Sequence, residues 1–117
     1  MGIVSDYLMI ILLITLVRKY MNNNIKTFRL IIKGKVQDVG FRHWFSNLAI
    51  SLGLNGYVQN LQNKDEVEAI VQGDMQNILS ISEKSKAGPS MALVEGVIPS
   101  NVFSNVTYSG FIVKYDN

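Results

Sequence analysis

No cysteine occurs in the 117 residues, and histidine occurs once, at His43. The first absence excludes disulfides, a thiolate nucleophile and any zinc site built on sulfur. The second removes most histidine-based metal sites and argues against a Ser-His-Asp triad. Excess charge of one sign is also scarce, since the net charge is only +2. That is too little to carry nucleic-acid binding by itself. Disorder is excluded by a hydrophobic share of 48% against 17% charged. A chain of this length makes one domain around one core.

Long apolar runs are scarce too, with one exception. Residues 7–17, YLMIILLITLV, are apolar apart from Thr15, and Arg18, Lys19 and Tyr20 follow at once. A spanning helix needs about 20 apolar residues. Counting back to Gly2 gives 16, with Ser5 and Asp6 among them. A basic start and a small-residue cleavage site, the marks of a signal peptide, are not visible. Met21 opens a stretch that reads as the start of a compact cytosolic domain. The expectation is an apolar N-terminal extension over residues 1–24 and a domain over 25–117. A short membrane contact through residues 7–17 is the less favoured reading, and it would set the domain on the cytoplasmic face.

Within the domain, residues 27–33 alternate, with Phe28, Leu30 and Ile32 on one side and Thr27, Arg29 and Lys33 on the other. Residues 41–52 switch to helical spacing, placing Phe41, Trp44, Phe45, Leu48 and Leu52 on one apolar face, and Gly53 ends the helix. Residues 55–61 and 66–72 read as strands joined by a turn at 62–65. Asp74 caps a second helix over about 75–86, with Met75, Ile78, Leu79 and Ile81 expected inward, and Gly88-Pro89 stops it. Two last strands are expected at 92–98 and 109–115. The order β-α-β-β-α-β plus a final short strand predicts a ferredoxin-like α/β sandwich, class α+β. Both helices should lie on one face of an antiparallel sheet.

Between the first strand and first helix lies GKVQDVGFR, residues 34–42. Glycines at both ends permit tight turns, the helix start adds positive partial charge, and Arg42 brings a planar fork of donors. Lys33 and Lys35 flank it. This suits a phosphate or carboxylate, but spacing alone leaves open an ordinary turn with a solvent-facing arginine. No Lys-Ser or Lys-Thr follows the second glycine, so the loop is not a Walker motif.

GKVQDVGFR also resembles the signature of the acylphosphatase family. GYVQN at 56–60 and VEAIVQGD at 67–74 resemble two further stretches of that family, and the likeness covers about residues 25–115. The resemblance implies hydrolysis of acyl phosphates without cofactor or metal, and a monomer is the expectation. It implies that Arg42 binds the phosphoryl group and Asn60 orients the attacking water. The loop of Gly34, Lys35, Val36, Gln37, Asp38, Val39, Gly40 and Phe41 would supply backbone donors. Asp38 stands where the family most often has glycine, and its carboxylate is expected to point outward. His43 is given no role. Two other readings compete: a non-catalytic anion or ligand sensor, and a nucleic-acid binder, the latter opposed by the small net charge and the inward aromatics.

Overall fold

The structure, a computed structural model, describes residues 3–22 and 25–115, with side chains over 5–17 and 25–115. In chain order the elements are α1 (Ile3–Asn22), β1 (Ile25–Lys35), α2 (Phe41–Ser51), β2 (Asn55–Asn60), β3 (Glu66–Asp74), α3 (Met75–Ser85), β4 (Leu93–Asn101) and β5 (Phe111–Lys114). The sheet runs β4-β1-β3-β2-β5. All neighbours pair antiparallel except β2 and β5, which run parallel. The sheet is therefore mixed, which corrects the expected all-antiparallel one. The reason is topological: the chain crosses from one edge, β4, to the other, β5, and enters β5 in the direction of β2.

One face of the sheet carries the core. Leu30, Ile32, Val58, Val67, Ala69 and Val71 from the strands meet Phe41, Phe45 and Ala49 of α2 and Ile78 and Ile81 of α3, all buried. The two-residue period of the strands and the 3.6-residue period of the helices bring these side chains together. Phe45 sits between Phe41 and Phe111, with ring centroids 6.1 and 5.8 Å away. Trp44 is half-buried against this cluster. Asp74 caps α3 as expected, its Oδ1 accepting the Gln76 N–H at 2.9 Å. Leu79 does not turn inward: it is 58% exposed. Ile78 and Ile81 already fill the buried stripe, and Leu79 falls one residue, about 100°, off it.

α1 is a different kind of element. Every side chain from Ser5 to Val17 is exposed. Among the described residues no helix is long and apolar enough to cross a membrane. The side chains of Arg18 and Lys19, the basic flank read from the sequence, lie outside the described residues.

Candidate active site

The loop between β1 and α2 is shaped by two glycines and one aspartate with positive φ. Gly34 has φ 128°, and a Cβ there would fall 2.1 Å from the Leu93 carbonyl oxygen, so β4 admits only glycine. Asp38, at φ 60°, is the only non-glycine residue with positive φ among those described. Aspartate tolerates that left-handed region better than most residues. Gly40, φ 78°, is the residue before α2, and no side chain caps the helix start. The loop leans on the β2–β3 hairpin. Gly34 N–H donates to the Asp65 carbonyl at 2.9 Å. The Gln37 amide nitrogen donates to the carbonyls of Leu61, Asn63 and Glu66 at 2.9, 3.1 and 2.8 Å. Leu61 follows Asn60 directly, so this clamp fixes the strand end that carries Asn60 against the loop that precedes Arg42.

A cavity of about 100 Å³ opens here, lined by Val36, Asp38, Gly40, Phe41, Arg42, His43, Asn60 and Tyr115. That is room for several waters. Two features mark it as built for a polar guest. First, Asn60 Oδ1 is buried and has no hydrogen-bond partner, a state that costs free energy unless something donates to it. Second, no acceptor among the described residues takes the backbone N–H groups of Val36, Asp38 and Gly40, which line it. The uncapped start of α2 adds further donors. Wider depressions elsewhere, of about 370, 400 and 360 Å³, bring no such orphaned atom together with a cation.

Arg42 is half-buried and held from the far side. Its Nη1 donates to the Lys114 carbonyl at 2.8 Å, and its guanidinium carbon lies 4.9 Å from the centre of the Tyr115 ring. β5 thus grips one nitrogen, and the Nε–Nη2 edge makes none of the protein hydrogen bonds found among the described residues. That edge is the geometry of a two-pronged grip on an oxyanion.

The structure therefore brings Val36, Asp38, Gly40, Phe41, Arg42 and Asn60 to one cavity. Phe41 contributes from its backbone side, since its ring is in the core. Gly34, Lys35, Gln37 and Val39 do not line it. Lys33, expected to draw in anions, pairs with Glu66 at 3.4 Å. Tyr115, Lys114 and His43 were not read as site residues. His43 is exposed at the rim, within 3.3 Å of the Asn47 amide nitrogen. Only the parallel β2–β5 pairing brings residues 114 and 115 to the loop, and no local periodicity announces that.

The profile of the acylphosphatase family matches residues 28–113. The chain belongs to the acylphosphatase family. A curated acylphosphatase of Caldivirga maquilingensis is 39% identical over 88 residues, covering 75% of this chain and 93% of that protein. One from Vibrio parahaemolyticus is 42% identical over 88 residues, with 75% and 96% covered. Among solved structures, an acylphosphatase from Coxiella burnetii superposes with TM-score 0.74 at 32% identity, over 79% of this chain and 95% of that one. The acylphosphatase from Bacillus subtilis gives 0.72 at 27%, over 78% and 99%. The ferredoxin-like fold is that of these acylphosphatases, and the chain is an enzyme of the acylphosphatase class.

Proposed function

We propose that this acylphosphatase hydrolyses acyl phosphates to a carboxylate and inorganic phosphate, with Arg42 and the 34–42 loop holding the phosphoryl group and Asn60 holding the water. The observation that carries this reading is the orphaned Asn60 Oδ1 in the same small cavity as Arg42. The free edge of Arg42 binds two phosphoryl oxygens, and the unpartnered loop N–H groups take the rest. Asn60 Oδ1 accepts one O–H of a water and turns its lone pair toward phosphorus. The water oxygen bonds to phosphorus as the bond to the acyl oxygen breaks. The leaving group departs as a carboxylate and needs no proton, and the proton lost by the water passes to a phosphate oxygen. Nothing in the scheme asks for a nucleophilic side chain, a general base or a metal. Catalysis rests on position and on charge stabilisation at the equatorial oxygens. Asp38 is exposed, and we place its carboxylate in water, where it tempers anion affinity without blocking it. The domain works on the cytoplasmic side.

The test is turnover of benzoyl phosphate by the purified chain without added metal, beside Arg42→Lys. Lysine keeps the charge and loses the fork, so kcat/KM should fall at least about 10²-fold with an unchanged circular-dichroism spectrum. Near-normal turnover in Arg42→Lys would overturn the grip assigned to the guanidinium. Phosphate binding with no turnover by the parent chain would make the domain a sensor instead.

A further inference from the structure

α1 carries the largest unexplained apolar surface of the described chain. From Tyr7 to Val17 the exposures of its large apolar side chains run from 44% at Ile11 to 64% at Tyr7. A protein groove or a coiled-coil seam covers one face of a helix and leaves polar residues on the other. Here every position from 7 to 14, and 16 and 17, is apolar and exposed, so no face is left for water. A helix apolar all round asks for an apolar medium on all sides. The single polar side chain in the run is already satisfied within the helix, since Thr15 Oγ1 donates to the Ile11 carbonyl at 2.9 Å. That removes the one group that hydrocarbon would penalise.

We propose that α1 submerges in one leaflet of an anionic bilayer and tethers the enzyme to that surface. Length decides the orientation. The eleven apolar residues, 7–17, measure about 16 Å at 1.5 Å each. They cannot span a hydrocarbon core of about 30 Å. An upright helix would leave Asp6 near the midplane, where a carboxylate is strongly disfavoured. A helix about 10 Å across, lying below the headgroups, fits within one leaflet of about 15 Å. The polar Ser5 and Asp6, exposed at one end, then lie at the headgroups, and in the sequence Arg18 and Lys19 follow the other end of the run. Tyr7, exposed at the start of the run, stands at the boundary level that tyrosine prefers. The adjacent cations match anionic headgroups.

Flotation of the full chain with preformed phosphatidylcholine–phosphatidylglycerol vesicles tests this. The parent should float and stay bound in 1 M salt, because burial and not charge holds it. Leu12→Asp should lower the partition coefficient on the order of 10²-fold and leave benzoyl phosphate turnover in solution unchanged. Flotation undiminished by Leu12→Asp, or release of the parent by salt, would overturn insertion. A parent that does not float but forms a discrete oligomer that Leu12→Asp breaks would assign the helix to a second copy and overturn the proposal as well. Since the chain has no cysteine, Ser5→Cys adds a unique label site. On vesicle-bound protein it should react with a membrane-impermeant maleimide from outside. Protection would show a helix that crosses or stands upright, and would refute the single-leaflet position.

Discussion

Asn60→Ala separates chemistry from stability with opposite signs. The buried Oδ1 has no partner within the protein. An unmet buried acceptor costs about 1–3 kcal/mol in the folded state. Removing it should leave the melting temperature unchanged or raise it by a few degrees, since about 1 kcal/mol moves a domain of this size by about 3–6 °C. The same atom, in the proposed mechanism, aligns the water in the transition state. Loss of one such oriented polar group costs on the order of 10²–10³-fold in kcat, about 2.7–4 kcal/mol. KM and phosphate affinity should change little, because Arg42 and the loop donors remain. The assay measures kcat on benzoyl phosphate, inorganic phosphate binding by calorimetry, and thermal unfolding on one preparation. An asparagine that merely tied the strand end would give the reverse pattern. A fall of several degrees with unchanged kcat per folded molecule would refute the assignment.

Other substitutions probe the frame around it. Asp38→Gly removes a negative charge from the cavity rim and should tighten phosphate about threefold, the size of a screened unit-charge interaction over several ångströms, with the gain shrinking at high salt. Gln37→Ala removes the donor shared by three carbonyls; those of Asn63 and Glu66 keep backbone donors and that of Leu61 loses its one protein donor, which should cost about 1–3 kcal/mol in denaturant unfolding. Because it uncouples Asn60 from the loop, it should lower kcat and raise KM together, unlike Asn60→Ala. Gly34→Ala would push a Cβ to 2.1 Å from the Leu93 carbonyl oxygen and 2.8 Å from the Glu95 nitrogen. It should cost more than about 3 kcal/mol; an unfolding midpoint near that of the parent would show that β1 and β4 can move apart there.

Much of the fold could be read from side-chain period, because period reports burial directly. Phe28, Leu30 and Ile32 alternate as a covered strand must, and Phe41, Phe45 and Ala49 stack on one helix face. Leu79 misled because hydrophobicity alone does not say which of two adjacent apolar residues faces in. The parallel β2–β5 pair was not legible, since register between distant edge strands leaves no local mark. Arg42 was a candidate from its glycine-flanked loop and helix start, whereas Asn60 was legible only because its motif resembles a family. Geometry adds that they share a cavity, that Gln37 joins their two elements, and that Lys114 and Tyr115 hold the arginine. The contact with Lys114 spans 72 residues in sequence, beyond the reach of any local pattern.

The hold on Arg42 has a dynamic consequence. It comes from the carbonyl of Lys114, the last residue of β5, a four-residue strand at the sheet's edge whose strand partner among the described residues is β2 alone. A short edge strand opens locally at lower cost than a domain unfolds. Each fraying event frees the guanidinium to swing before the core loosens. In the mechanism proposed for Arg42, turnover then has a melting transition of its own, below that of the sandwich. In mild denaturant, turnover should vanish while the far-ultraviolet spectrum stays native, and amide exchange at residues 111–114 should set the rate at which it is lost.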